Sequence, residues 1–108
     1  MTDKSRVAVV GGGMGRNHIA AFQSLPDQFE VRAVCDIDEK RARELAETYA
    51  IPNITTNIAD LYQRDDIDLI DICTPSYLHY AQTLEALAAG KYVICKNLLR
   101  VHLNKLMG

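Results

Sequence analysis

Several features are scarce in this sequence, and each shortage excludes a class of protein. None of its apolar runs approaches the roughly 20 residues of a membrane-spanning helix, so we expect no membrane-embedded segment. Its 3 cysteines contain no Cys-x-x-Cys pair, which argues against a disulfide framework and favours the cytoplasm. The sequence has 12 basic and 14 acidic residues. Basic residues are therefore not in excess, and we expect no nucleic-acid-binding surface.

What is present is an ordinary globular composition arranged in two alternating kinds of segment. With 108 residues, 48% of them hydrophobic, the chain suits one small domain. Short runs rich in β-branched residues are typical of buried parallel strands, and they are Val7–Val10, Val31–Cys35, Leu69–Cys73, Tyr92–Cys95 and, more weakly, Asn53–Thr56. Between these runs, apolar residues recur at helical spacing and predict three helices. The first contains His18, Ile19, Phe22 and Leu25 and is ended by Pro26. The second extends from Asp38 to Tyr49, and the third extends from Tyr77 to Ala89 and is ended by Gly90.

This alternation predicts an α/β fold, namely a Rossmann-like parallel sheet with flanking helices. The usual strand order is 3-2-1-4-5-6, and the sequence supplies about five of the six strands. The fifth strand then becomes an exposed edge, through which we expect the protein to be able to self-associate. Each cysteine ends a predicted strand, so Cys35, Cys73 and Cys95 are interpreted as small buried apolar residues and no metal site is expected.

A glycine-rich loop joins the first strand to the first helix. Glycines at this point permit a tight turn and let backbone N–H groups approach a phosphate, to which the helix N-terminus adds its positive dipole end. The candidate contacts are Gly11, Gly12, Gly13, Met14 and Gly15. Read literally, the loop is Gly-x-Gly-x-Gly, which resembles that of S-adenosylmethionine-dependent methyltransferases, so the loop alone does not choose a cofactor.

An acidic residue, Asp36, ends the second strand 21 residues after Gly15. A carboxylate at this position accepts hydrogen bonds from both ribose hydroxyls of an adenosine and repels a 2′-phosphate, so the cofactor NAD is favoured over NADP. Methyltransferases also place an acid here. The basic residues that follow, Lys40, Arg41 and Arg43, fall on the second helix and are expected to be solvated surface charges.

The segment Cys73–His79 follows the fourth strand, where open α/β sheets bind their ligands. Pro75 fixes the turn as the chain leaves the sheet, Thr74 offers a hydroxyl group, and His79 falls near the start of the next helix.

Together four blocks resemble the nicotinamide-binding domain of the Gfo/Idh/MocA oxidoreductases, over residues 5–95. They are Val-Val-Gly-Gly-Gly-Met-Gly-Arg-Asn-His ending at His18, Val-Cys-Asp ending at Asp36, Cys-Thr-Pro-Ser-Tyr-Leu-His ending at His79, and Ala-Gly-Lys-Tyr-Val-Ile-Cys ending at Cys95. The resemblance implies oxidation or reduction of a sugar, polyol or related hydroxyl compound with NAD. It also implies cofactor contacts from the glycine loop, Asp36, Thr74, Pro75 and His79, with Gly12 and Gly15 as the last two family glycines.

The resemblance breaks after Cys95. Members of the family continue with Glu-Lys-Pro, whose lysine takes part in catalysis, whereas this chain continues with Lys96, Asn97 and Leu98. Deleting the first G of GAA-AAA-CCT-CTT gives AAA-AAC-CTC-TT, which encodes Lys-Asn-Leu and allows a second Leu. No acid follows Glu85, and residues 91–108 carry 4 basic side chains. We therefore expect a partial dinucleotide-binding domain over 1–95, a divergent and frameshifted tail over 96–108, and no C-terminal substrate domain.

Three functions are consistent with these residues. The first is a truncated, inactive oxidoreductase fragment that retains the adenosine side of an NAD site and has no catalytic residue. The second is a methyltransferase-like domain, which the literal Gly-x-Gly-x-Gly favours. The third is a standalone nucleotide-sensing module that regulates a partner.

Overall fold

The predicted strands and helices form a single alternating series in the computed structural model, which describes residues 4–95. The elements are β1 (Ser5–Val10), α1 (Gly12–Gln23), β2 (Phe29–Cys35), α2 (Glu39–Tyr49), β3 (Asn53–Thr55), α3 (Ala59–Tyr62), β4 (Leu69–Ile72), α4 (Ser76–Ala88) and β5 (Tyr92–Ile94). All strand pairs are parallel and their order is β3-β2-β1-β4-β5. The structure thereby confirms the predicted fold class and strand order.

The sheet separates two apolar cores because successive side chains of a strand point to opposite faces. Residues of β1 show the alternation. Val7 and Val9 join Ile19 and Leu45 in the core under α1 and α2. On the other face, a second core under α3 and α4 contains Ala8, Val10, Leu61, Ile67, Ile70 and Ala86. The central strand is therefore buried on both faces, which explains its uninterrupted apolar sequence.

An ion pair fixes the register of the two central strands at the amino edge of the sheet. Arg6 donates from Nε and Nη2 to the two carboxylate oxygens of Asp68, each at 2.9 Å. The backbone N–H of Arg6 also donates to Asp68, and the N–H of Asp68 donates to the Arg6 carbonyl. These bonds to the ionised form lower the pKa of Asp68. The carboxyl ends of β1 and β4 are consequently brought level with each other.

Helix ends follow the sequence signals closely, with one exception. The Asp38 side chain caps α2 by accepting from the N–H groups of Lys40 and Arg41, as predicted. Beyond α4, Gly90 takes φ 83°, and the N–H groups of Gly90 and Lys91 bond back to Leu87 and Ala86 in a Schellman motif.

The exception is α1, which starts and stops earlier than its apolar spacing indicates. It begins at Gly12, inside the glycine loop, and ends at Gln23. The predicted stripe residues Ile19 and Phe22 are buried, but Leu25 lies beyond the helix and is 46% exposed. The predicted helix end at Pro26 was therefore wrong by about one turn.

The fifth strand lies at an edge of the sheet, as expected. Tyr92 is 76% exposed there, and Ile94 is 36% exposed. Self-association through this edge stays a prediction. The tail predicted over 96–108 lies outside the described residues. Within 4–95, every helix is too short or too polar to cross a bilayer.

Among residues 4–95, one residue other than glycine has a left-handed backbone. Ala50 ends α2 with φ 56° and ψ 46°, and the next N–H, that of Ile51, bonds back to the Ala46 carbonyl at 2.9 Å. For an L-residue with a Cβ this conformation costs roughly 1–2 kcal/mol. The end of α2 therefore stores backbone strain that a glycine would release.

We expect Ala50→Gly to stabilise the protein. Release of the strain outweighs the larger unfolded-state entropy of glycine and leaves a gain of roughly 0.5–1 kcal/mol. Thermal denaturation should show a melting temperature higher by roughly 2–8 °C. The matched control is Ala88→Gly, at a right-handed position in the last turn of α4, which should lower stability by up to about 1 kcal/mol. Destabilisation by both substitutions would contradict the assignment of strain to Ala50.

Candidate functional site

The glycine loop is held between the carboxyl ends of two strands. Gly11 takes φ 93°, and its N–H donates to the carbonyl of Cys35 at 2.8 Å. A Cβ at Gly11 would lie 2.8 Å from the backbone carbonyl atoms of Cys73 and 3.1 Å from the N of Thr74. Both the backbone conformation and the lack of space therefore require glycine at this position.

Two further glycines allow close packing around the start of α1. At Gly12, a Cβ would lie 2.6 Å from a methyl carbon of Leu45 and 2.9 Å from Oδ2 of Asp36. At Gly15, a Cβ would lie 2.6 Å from a methyl carbon of Val9. These two residues are buried and bring α1 against β1 and against the end of β2. Their role in the fold is to leave the space that Leu45, Asp36 and Val9 occupy.

The first turn of α1 offers two N–H groups to a ligand. An α-helix leaves its first N–H groups without helical partners. That of Gly12 donates to Asp36 at 2.8 Å. Those of Gly13 and Met14 have no acceptor among residues 4–95, and both residues line the cavity beside the loop. A Cβ at Gly13 would meet nothing within 4 Å, so the fold itself does not require glycine there.

Asp36 has two roles at the end of β2. Its Oδ2 accepts from the Gly12 N–H, and its Oδ1 accepts from the Asp38 N–H at 2.9 Å. The side chain is only 4% exposed. The carboxylate therefore fixes the start of α1 relative to β2, and Asp36 forms part of the cavity wall.

The position of Arg41 differs from the one that the sequence predicts. It was predicted to be a solvated surface charge, but its Nη1 lies 3.3 Å from Oδ2 of Asp36 and its side chain is half exposed at the cavity wall. The first turn of α2 runs past the end of β2, which brings the guanidinium group back over the carboxylate. The helical position alone did not reveal this, because the contact depends on how α2 packs.

The loop after β4 is held from behind by α4. Cys73 donates its N–H to the Val10 carbonyl at 2.7 Å, which continues the sheet past β4. The Thr74 hydroxyl donates to Oε1 of Gln82 at 2.6 Å, and Nε2 of His79 donates to the Thr74 carbonyl. His79 is buried and its ring does not line the cavity, so the structure gives it a supporting position behind the loop.

These segments enclose one cavity of about 590 Å³ at the carboxyl edge of the sheet. Its wall includes six of the nine predicted site residues, namely Gly11, Gly13, Met14, Asp36, Thr74 and Pro75, but not Gly12, Gly15 or His79. The sequence reasoning missed Arg41, the segment Thr56–Ile58 after β3, and Tyr77, Leu78 and Gln82 on α4. The position of the 56–58 segment just past a strand end was the available signal.

A second polar cluster lies under α1, on the face of the sheet that carries Val9. Nδ1 of His18 is 2.5 Å from Oδ2 of Asp71, and Sγ of Cys73 is 3.5 Å from that nitrogen and 3.6 Å from Oδ1 of Asp71. Burial raises the pKa of Asp71, against the opposing effect of His18. Burial and the Asp71 charge raise the pKa of Cys73 to about 12.

The cluster changes the interpretation of Cys73. It was predicted to be a small buried apolar residue, whereas it is half-buried and contacts two polar side chains. Cys35 and Cys95 are buried in the apolar core, as predicted. All three cysteines are unpaired.

Comparison with known proteins gives one consistent result. Residues 5–97 match the Gfo/Idh/MocA family model, described as an oxidoreductase family with an NAD-binding Rossmann fold. An inositol 2-dehydrogenase/D-chiro-inositol 3-dehydrogenase of Shouchella clausii is 34% identical over 93 residues, 84% of this chain and 27% of its own length. D-glucoside 3-dehydrogenase of Escherichia coli K12 is 32% identical over 84% of this chain and 26% of its own length.

A solved structure shows the same likeness in three dimensions. Levoglucosan dehydrogenase in complex with NADH superposes with a TM-score of 0.80 at 28% identity, over 86% of this chain and 27% of its own. The chain thus spans about a quarter of the length of these relatives. Because the family match covers the sheet, the glycine loop and the loop after β4 together, the chain belongs to the Gfo/Idh/MocA oxidoreductase family and represents its NAD-binding Rossmann fold.

Proposed function

We propose that residues 4–95 are the cofactor-binding part of an NAD-dependent dehydrogenase that acts on a sugar, a polyol or a related hydroxyl compound. One observation carries this proposal: Gly13 and Met14, whose N–H groups have no acceptor among residues 4–95, line the same cavity as Asp36. Two N–H donors at a helix N-terminus suit a pyrophosphate, and a carboxylate one strand away suits a ribose diol.

The cavity fits the rest of a dinucleotide as well. On the side of β2 and β3, its wall includes the apolar side chains of Ile37 and Ile58, and Ile37, which is 93% exposed beside Asp36, suits contact with an adenine ring. Thr74 and Pro75 border its other end, where the nicotinamide would lie. His79 bonds to the Thr74 carbonyl from outside the cavity, and Gln82, which is part of the cavity wall, accepts from the Thr74 hydroxyl, so both residues hold this loop in place.

The substrate class comes from the relatives. Those named above act on inositol and on D-glucosides, and another is a levoglucosan dehydrogenase, so their substrates are polyols and sugars. When bound, NAD supplies the acceptor for a hydride from a hydroxyl-bearing carbon. The described residues bind and orient that cofactor, and we assign none of them to proton removal from the substrate.

We also propose that this particular chain is an inactive fragment whose reading frame is shifted after Cys95. It rests on the motif change alone, since Asn97 and Leu98 occupy the positions of the family's lysine and proline. Loss of that lysine removes a group needed for proton transfer. NAD binding does not require it.

Sequencing the gene across codon 95 checks the shifted frame. We expect a Glu-Lys-Pro-Leu reading to reappear when one nucleotide is restored before codon 96, followed by an open frame that encodes a substrate domain. A continuous gene without such a reading would show that the divergent motif is native.

The cofactor preference should depend on Asp36. We expect Asp36→Asn to weaken NAD binding about 10–100-fold, because hydrogen bonds to a charged group contribute about 1.5–3 kcal/mol. The same change removes repulsion of a 2′-phosphate, so the ratio of the NAD and NADP dissociation constants should move toward one in calorimetric titrations.

The control for this substitution is Asp38→Asn. Asn retains the cap of α2 and removes one negative charge close to the site, but Asp38 does not line the cavity. Cofactor preference should be unchanged in this variant. An equal response of both variants would show that the local net charge acts, not the Asp36 carboxylate.

A substitution at Gly13 tests cofactor binding without disturbing the fold. Since a Cβ there meets no atom of the protein, Gly13→Val should leave the melting temperature within a few degrees of the parent. Its side chain would occupy the path of the pyrophosphate, and we expect NAD affinity to fall at least 10-fold. Ala20→Val, exposed on the same helix, is the matched control and should bind NAD normally. Unchanged affinity of Gly13→Val would place the pyrophosphate elsewhere.

Calorimetry with S-adenosylmethionine tests the methyltransferase alternative on the same sample. We expect heat of binding with NAD and none with S-adenosylmethionine. The reverse result would overturn the proposed function.

A further inference from the structure

The polar cluster under α1 contains three different metal-ligating groups. They are the imidazole of His18, the carboxylate of Asp71 and the thiol of Cys73, and their ligand atoms all lie within 4.8 Å of one another. We propose that these three side chains form a binding site for a single zinc-like divalent cation, with a water molecule as the fourth ligand. The inference goes beyond the proposed function, because none of the three side chains is a donor or acceptor proposed for NAD, although Cys73 also lines the cofactor cavity.

The spacing of the ligand atoms matches a tetrahedral site on two of its three edges. Zn–N and Zn–O bonds of about 2.0–2.1 Å and a Zn–S bond of about 2.3 Å give tetrahedral N···S and O···S separations of about 3.5 Å. Nδ1 of His18 lies 3.5 Å from Sγ of Cys73, and Oδ1 of Asp71 lies 3.6 Å from the same sulfur. The 2.5 Å contact between His18 and Asp71 joins Nδ1 to the other carboxylate oxygen, Oδ2, so it is not an edge of this tetrahedron. A cation bound to Nδ1 and Oδ1 would replace that hydrogen bond.

The charge of Asp71 gives a physical reason for a cation. Its residue is 0% exposed on a central strand, and among residues 4–95 its side-chain partners are His18 and Cys73 alone. It forms no ion pair with a lysine or arginine of that part of the chain. A buried carboxylate is costly without compensation, and a dication with two further protein ligands provides it.

The site is open on the side away from α1. The His18 side chain is 41% exposed, and Ile94, the β5 residue that pairs with Asp71, is 36% exposed. Among residues 4–95, helices α1 and α2 cover the sheet over β1 and β2 and leave this side of β4 and β5 accessible. Within this part of the chain, a hydrated ion can therefore reach the cluster without unfolding of the core.

The ligand set selects the kind of ion. Thiolate and imidazole ligands favour zinc and similar borderline ions, whereas Mg²⁺ and Ca²⁺ prefer oxygen alone. Binding requires the thiolate form of Cys73 and an unprotonated Nδ1 on His18. The thiol proton and the proton shared by His18 and Asp71 therefore leave to solvent as the cation enters.

Cobalt(II) provides the test, since it occupies zinc sites and reports its ligands by absorption. The full chain, reduced with a phosphine and free of chelator, should take up one equivalent of Co²⁺. We expect visible ligand-field bands of tetrahedral intensity and a near-ultraviolet thiolate-to-cobalt band, both lost when one equivalent of Zn²⁺ is added. Zn²⁺ alone should raise the melting temperature.

Substitutions identify the ligands. Cys73→Ala should abolish the thiolate band, and His18→Gln should weaken Co²⁺ binding at least 100-fold, since even loss of a residue that only orients a ligand costs about 10–100-fold. Cys35→Ala is the matched control. Cys35 is also an unpaired cysteine at the end of a strand, but it belongs to no such cluster within the described residues, so the bands should persist. Circular dichroism of each variant confirms that it folds.

Two outcomes would overturn the proposal. One is the absence of a thiolate-to-cobalt band at millimolar Co²⁺ in the parent protein, which would leave a hydrogen-bonded cluster without a metal. The other is an undiminished band in Cys73→Ala, which would assign the ion to another cysteine. Neither outcome bears on NAD binding, because the donors proposed for NAD are Gly13, Met14 and Asp36.

Discussion

The contact on which the site depends is the approach of three backbone segments around Gly11. Its N–H bonds to the end of β2, and its Cα lies so close to the chain after β4 that no side chain fits between them. This single crossing point brings the start of α1, the carboxylate after β2 and the loop after β4 to one cavity. Each of those groups belongs to a different strand–helix connection, so the cavity exists only where the connections meet.

Asp36 shows how one side chain serves both fold and function. By accepting from the Gly12 N–H, it holds the N-terminus of α1 in place, and the next two N–H groups have no acceptor among residues 4–95. Gly12 in turn has to lack a side chain because the carboxylate occupies that space. The carboxylate and the glycine are thus mutually dependent, and substitution of either one would disturb the start of α1, where we propose that the pyrophosphate binds.

Asp71 is the residue that departs most from the pattern of its surroundings. It occupies the centre of β4 between apolar neighbours, at a position where the core face of the sheet is otherwise valine, leucine and isoleucine. Departures of this kind concentrate at sites with a function, because their cost has to be offset by a partner. Here the partners come from α1 and from the residue two places further along the chain, which is why one cluster links the helix, the strand and the loop.

The sequence determined those features that depend on near neighbours along the chain. Alternating short apolar runs and helical stripes indicated the sheet and its order, Asp38 and Gly90 marked helix ends, and the glycine loop with Asp36 indicated a nucleotide site. Local backbone preference and hydrophobic period govern all of these. What only the tertiary structure decided are contacts between residues of different elements: Arg41 on α2 with Asp36 after β2, His79 on α4 with Thr74 after β4, and His18 on α1 with Asp71 and Cys73. Their geometry is set by how helices pack on the sheet, and the spacing of residues along one segment carries no information about the distance to another.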